Sequence, residues 1–320
     1  MPGSVTSAFS EPEDFEAACR AEGCCRLLIT GRGQFCASVT QIALHVLRLS
    51  ATQESLSRIA FMSLPADMVL LTFPLSGAAL PIYGGIGSRS GELVTLGPDE
   101  QLHARTEGGS HAGGIWLPIK ELAQYGSAIT GAPFALPPGV RHWRPASQAE
   151  ARLRSLHAAA IRMATNNPAN FIDAEAAHGL EQQLIHSVVD CLAGGSETTD
   201  TRSARRHQSI MIGFERLLQA EPERNIPITE ICATLGVSPR LLRSLCAEHL
   251  GMGPARYDRL RRMSLVRRSL RRGDSALTGI AEVAARYGFG SPGRFAVKYN
   301  ASFGESPSAT VRRATPVRFA

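Results

Sequence analysis

A pattern written twice in the last third of the 320-residue chain limits its fold more than any other feature. The first copy is Ile228-Thr229-Glu230-Ile231-Cys232-Ala233-Thr234-Leu235-Gly236-Val237-Ser238-Pro239-Arg240-Leu241-Leu242. The second, 52 residues on, is Ile280-Ala281-Glu282-Val283-Ala284-Ala285-Arg286-Tyr287-Gly288-Phe289-Gly290-Ser291-Pro292-Gly293-Arg294-Phe295. Each reads as a helix, a glycine and a second helix. Gly236 and Gly288 stand where the first helix must stop and the chain reverse, a position that favours the left-handed conformation only glycine adopts cheaply. Ser-Pro follows in both copies, serine suited to the N-cap and proline to the first helical position, where a missing N–H costs nothing. This is the sequence form of a helix-turn-helix, whose second helix enters the major groove of DNA. One copy alone would be a common helical hairpin. Two copies joined by the Arg-rich segment Arg256 to Arg272 point to DNA binding.

The charge agrees with this. The formal total is only +6, and Lys120 and Lys298 are the sole lysines among 34 basic residues. From Arg205 onward there are 20 basic and 9 acidic residues, net +11, which leaves −5 for the preceding part. A basic module of that size implies a polyanionic partner, nucleic acid or an anionic membrane surface. No segment approaches the run of about 18 apolar residues that a membrane-spanning helix needs; the longest are Ile42 to Leu49 and Val69 to Leu75. The early stretch Ser10-Glu11-Pro12-Glu13-Asp14-Phe15-Glu16 is acidic where a secretory signal would be basic and then apolar, so a cytoplasmic protein is expected. Seven cysteines, an odd number that includes the adjacent Cys24 and Cys25, do not form a disulfide framework in a chain this large.

From about Gly31 to Ile129, short apolar or alternating runs are separated by Gly and Pro at the spacing of an antiparallel sandwich or barrel. The hairpin cues are Gly84-Gly85, Gly87 to Gly91, Gly97-Pro98-Asp99 and Gly108-Gly109. After the Pro-rich stretch Pro133 to Pro145, two amphipathic helices are expected over Gln148 to Thr165 and Ala174 to Leu192. The stripe Leu180, Leu184 and Val188 on the second reads as a lid packed on the β domain, as a dimer seam, or as a stripe shared between the two. Residues 194 to 205 are small and polar and read as a flexible linker. The expected division is therefore a β-rich sensor and dimerisation domain at 1–193, the linker, and a helical DNA-binding domain at 206–320.

The second copy and its tail carry a family signature: Ala281-Glu282-Val283-Ala284-Ala285-Arg286-Tyr287-Gly288-Phe289, Ser291, Phe295, Tyr299 and Phe303-Gly304-Glu305-Ser306-Pro307. From about Arg206 to Arg313 the chain resembles the AraC/XylS transcription regulators. That resemblance implies two helix-turn-helix subdomains bridged by a long helix, here about Pro254 to Arg271. It also implies an N-terminal cupin-like β-barrel or sandwich with dimerisation helices. By position, the first recognition helix, capped by Ser238 and Pro239, presents Arg240, Arg243 and Ser244 to base edges, the arginines being suited to guanine O6 and N7. The second, capped by Ser291, presents Pro292, Gly293, Arg294, Ala296 and Val297. The chain departs from the family at Val297, usually an arginine, with Lys298 beside it; apart from Arg294, this second helix is expected mainly to position the protein through phosphates. Arg261, Arg262, Arg267 and Arg268 are further candidates for phosphates.

Enzymatic readings find less in the sequence. His45, His103, His111 and His142 lack the spacing of a cupin metal site, and no cofactor is implied. Cys19, Cys24, Cys25 and Cys36 have no zinc-ribbon spacing and are expected to be buried thiols. The expected function is a ligand-responsive activator, not an enzyme, with double-stranded DNA, a small-molecule effector, RNA polymerase and a second copy as partners. The alternatives are a regulator whose sensor domain binds a protein or no ligand, a thiol-based regulator using Cys24 and Cys25, and a DNA-repair methyltransferase fused to the same kind of DNA-binding domain.

Overall fold

A computed structural model of the chain describes residues 2–20, 23–75, 77, 79–166, 174–197, 202–274 and 278–314. The chain divides into two compact units, Met1–Leu27 with Phe35–Arg205, and Leu28–Gln34 with Arg206–Ala320.

The first unit opens with β1 (Gly3–Phe9), α1 (Pro12–Cys19) and β2 (Cys24–Ile29). It continues through β3 (Ala37–Ala43), β4 (Arg48–Glu54), β5 (Arg58–Ser63), β6 (Met68–Pro74), β7 (Ile82–Tyr83), β8 (Ile86–Gly87), β9 (Leu93–Leu96), β10 (Gln101–Thr106) and β11 (Ser110–Pro118). Then come α2 (Ile119–Thr130), β12 (Val140–Arg144), α3 (Ser147–Asn166), α4 (Ala174–Ala193) and the two-residue β13 (Ser196–Glu197). Among the described residues the strands form two antiparallel sheets, β1-β3-β4-β11-β6-β9-β12-β13 and β2-β5-β10-β7-β8. Of the two architectures expected from the turn spacing, the structure is the sandwich; neither sheet closes on itself.

The period of two explains how the larger sheet is covered on both faces. Along β6, Val69, Leu71 and Phe73 join a cluster with the helices, while Leu70 joins a separate cluster with Tyr83, Leu102 and Ala104 of the second sheet. Hence β6 reads as a continuous apolar run rather than an alternating one. The helical cover is α2, α3 and α4. Leu153 and Ala160 of α3 and Leu184, Ile185, Val188 and Val189 of α4 are wholly buried against this face. Leu184 and Val188 of the stripe are thus spent on the lid inside the chain, with Leu180 partly buried beside them.

Polar pegs lock the lid. The buried Glu181 carboxylate of α4 accepts the backbone N–H groups of Val46 at 2.7 Å and Leu47 at 2.8 Å, seating the helix on the β3–β4 hairpin. On α3, His157 Nε2 lies 2.9 Å from the Ser50 carbonyl and its ring stands edge-on to Phe73. Burial pushes the His157 pKa down to about 4, so the ring is neutral at physiological pH and costs no buried charge. Within the expected linker, Ser196 and Glu197 pair with Arg144 and Trp143, Arg141 donates to Glu197 at 2.9 Å, and the next helix starts at Arg202. The small polar composition there marks a tight strand pairing as well as a connection.

The second unit is helical: α5 (Arg202–Ala220), α6 (Ile228–Leu235), α7 (Pro239–Leu250), α8 (Pro254–Arg272), α9 (Ile280–Arg286), α10 (Pro292–Phe303) and α11 (Pro307–Ala314). No described helix is long and apolar enough to cross a membrane.

Candidate nucleic-acid interface and interior cavity

Both copies of the repeat fold as helix, turn and helix. In the first, α6 ends at Gly236, whose φ of 63° is left-handed, and Val237 N–H returns to the Cys232 carbonyl at 3.0 Å. Ser238 Oγ then accepts the Leu241 N–H at 3.2 Å and Pro239 opens α7. In the second, Gly288 takes the left-handed turn with φ of 80°, and Phe289 N–H reaches the Ala284 carbonyl at 3.0 Å. Here the expected serine cap differs: Ser291 makes no side-chain cap bond, and Pro292 alone sets the start of α10.

The aromatic residues of the family-like signature form the core of this second unit. Phe289, Phe295, Tyr299 and Phe303 stack in sequence with ring centroids 5.5, 5.5 and 4.7 Å apart. Tyr299 Oη and Thr310 Oγ1 are 2.8 Å apart, tying α10 to α11. The signature therefore encodes packing, and the outward face is left to other residues.

On α7, Leu242, Leu245 and Cys246 point inward, and Arg240, Arg243 and Ser244 are exposed together. On α10, Phe295 and Tyr299 point inward, and Pro292, Gly293, Arg294, Ala296, Val297 and Lys298 are exposed. Arg240, Arg243, Arg294 and Lys298 form no ion pair among the described residues, so their charge is available to a ligand.

The bridging helix corrects the expectation for three other arginines. Arg261 is only 1% exposed, with its Nε 3.9 Å from Glu215 of α5. Buried Arg262 donates to Asp258 at 2.9 Å, to the Tyr287 carbonyl at 2.8 Å and to Asn225 Oδ1 at 3.2 Å, and stacks on Phe289. Its positive charge at the end of α9 also suits the helix dipole. Arg267 pairs with Glu305 at 3.2 Å and lies over Phe303. All three are internal staples, and a side chain so buried does not reach a phosphate. The exposed arginines of α8 are instead Arg256, Arg259 and Arg272. Helical spacing held the signal: Tyr257, Arg261 and Arg262 share the inward stripe that continues to Val266.

The sandwich holds a cavity of about 90 Å³ between its sheets. Ser50, Thr52, Leu70, Thr72, Gly114 and Trp116 line one wall, and Arg58, Ala60, Met62, Tyr83 and Ala104 the other. Gly114 keeps it open, since a Cβ there would stand 2.6 Å from Ser50 Oγ. The buried Trp116 Nε1 has no hydrogen-bond partner among the described residues. Arg58 Nε lies 2.9 Å from both Glu54 oxygens, which neutralises the cavity's guanidinium, and burial pushes the Tyr83 pKa up, keeping that phenol protonated.

No group of three or more His, Cys, Asp or Glu is placed to hold a metal among the described residues. Burial raises the thiol pKa of Cys191 and Cys246 to about 12; the side chains of Cys24 and Cys25 lie outside the described ones.

Residues 231–313 match the family model described as "Helix-turn-helix domain". Over 103 residues the chain is 38% identical to "XylDLEGF operon transcriptional activator 1" of Pseudomonas putida, covering 31% of each chain. Over residues 231–313 the chain thus carries a helix-turn-helix domain similar to that of a named operon activator, in line with the AraC/XylS resemblance of the sequence. A second relative, "Probable thc operon regulatory protein" of Rhodococcus erythropolis, is 37% identical over 149 residues, 44% of this chain and 45% of that one. The solved structure "AraC-like transcriptional activator CuxR" is 16% identical and covers 82% of this chain and 94% of its own, with a TM-score of 0.44. The match with the Pseudomonas putida activator spans about a third of that relative's length.

Proposed function

We propose that this chain is a one-component transcription regulator, an activator rather than an enzyme. Its helical unit binds double-stranded DNA and its β unit senses a small molecule. The observation that carries this reading is the paired helix-turn-helix, each second helix presenting exposed cations that no acidic group among the described residues neutralises. Relatives named as operon activators support the sign of regulation. The family resemblance supports a cytoplasmic homodimer that contacts RNA polymerase. The thiol and methyltransferase alternatives gain nothing from the relatives named above; Cys19 is buried as expected, while Cys36, also expected to be buried, is exposed.

Duplexes selected by the full chain from a random pool test the DNA reading. Binding is expected to fall steeply with salt as counterions are released. Arg240→Ala or Arg243→Ala is expected to cost about 1–3 kcal/mol and to relax base choice at one position, as for loss of a bidentate guanine contact. Mobility shifts unchanged by both substitutions would remove α7 from the interface.

The cavity supports a neutral, largely apolar effector with one acceptor for the Trp116 indole, because its only guanidinium is already compensated. A thermal-shift panel of matched aromatic amides and carboxylates checks this. Amides are expected to raise the melting temperature of the wild type and not of Gly114→Val, whose side chain fills the space; stabilisation by carboxylates alone would overturn the assignment.

A further inference from the structure

The two recognition helices can be compared residue by residue, because Ser238-Pro239 and Ser291-Pro292 put them in one register. Two buried positions agree, Leu242 corresponding to Phe295 and Cys246 to Tyr299, while the buried Leu245 gives way to the exposed Lys298. The outward positions change chemistry. Where α7 carries Arg240, Arg243 and Ser244, α10 carries Gly293, Ala296 and Val297. Every hydrogen-bonding side chain at these three places has been replaced by one that makes none.

Val297 is 72% exposed, and among the described residues it is the one large hydrophobic of the helical unit so exposed. Folding gains nothing from an apolar side chain held in water. Gly293 and Ala296 beside it have no bulk to hold a surface away, and Arg294 and Lys298, exposed on the same helix, supply charge complementary to a phosphate backbone. The edge of a base pair in the major groove offers one apolar group, the 5-methyl of thymine.

We infer that α10 reads thymine by apolar contact, with the Val297 side chain against a thymine 5-methyl group, while α7 reads by hydrogen bonding. The inference rests on the DNA-binding reading above and replaces the expectation that the second recognition helix, Arg294 apart, mainly positions the protein. The target of the whole chain is then a composite, one half recognised through polar base edges and the other through methyl groups.

The test uses the full chain and its selected duplexes, with each thymine changed in turn to deoxyuridine, which removes only the methyl group. At one or more thymines, separate from those affected by Arg240→Ala, the change is expected to weaken wild-type binding about fourfold, the value of burying one methyl-sized group. Val297→Ala is expected to bind the unmodified duplex correspondingly less well and to be indifferent to deoxyuridine at those same positions. An exposed Val-to-Ala change leaves the core untouched, so a folding defect does not confuse the result. Deoxyuridine that never matters, or matters equally in Val297→Ala, overturns the inference and assigns the exposed valine to a protein contact instead. A chain that retains no duplex at any salt concentration condemns the DNA-binding reading itself, and this inference with it, so the two failures are distinct.

Discussion

Leu184→Glu is expected to unfold the β unit rather than to separate a dimer. Leu184 has no exposed surface and sits among Ile185, Val188 and Val189 in the cluster under α4. An unpaired carboxylate there costs several kcal/mol, comparable with the whole stability of a typical domain at about 5–15 kcal/mol. The two tryptophans, Trp116 and Trp143, both lie in this unit, so intrinsic fluorescence reports on it separately from the helices. A red-shifted emission with aggregation in sedimentation is the expected result. Leu184→Ala should retain the fold and lose about 2–5 kcal/mol. A folded Leu184→Glu chain sedimenting at half the wild-type mass would restore the dimer seam.

Glu215→Ala should damage the helical unit almost as severely. The Glu215 carboxylate is fully buried, accepts the Tyr257 hydroxyl at 2.7 Å and faces the Arg261 guanidinium. Its removal leaves a buried guanidinium without its counter-charge, a loss of about 3–5 kcal/mol for pairs of this kind. Far-ultraviolet circular dichroism during denaturation measures it, with tryptophan emission as the internal control for the other unit. Glu215→Leu combined with Arg261→Met should recover most of the loss, since an apolar pair of similar volume replaces the ions without a desolvation cost. If Glu215→Ala alone melts like the wild type, Arg261 draws its compensation from elsewhere.

The helices were legible in the sequence because their signals are local. Gly236 and Gly288, the Ser-Pro pairs and the stripe of Phe295, Tyr299 and Phe303 state both where the chain turns and which side is buried. The expected helices Gln148 to Thr165 and Ala174 to Leu192 match α3 and α4 to within a residue. What escaped lay where local signals mislead. The strand β12 hides between prolines that read as a loop, and its Trp143 is held by Thr95 of a distant strand. The opening elements β1, α1 and β2 precede the region whose turn spacing suggested strands. Among the site residues, Arg261 looked like a phosphate ligand because type alone does not say which way a helical side chain points. Its counter-charge, Glu215, lies far away along the chain.

Arg262 has a consequence for how the helical unit comes apart. One guanidinium, carried by α8, is bonded both to Asn225, before the first helix-turn-helix, and to Tyr287, at the turn of the second. A repeat whose copies touched only through a passive spacer would melt copy by copy, each with its own midpoint. Here opening either side breaks one of the bonds of a buried guanidinium that the other side also holds, leaving it to Asp258 of its own helix, so each opening costs the other a shared contact. The two copies are therefore expected to unfold with coupled rather than independent midpoints.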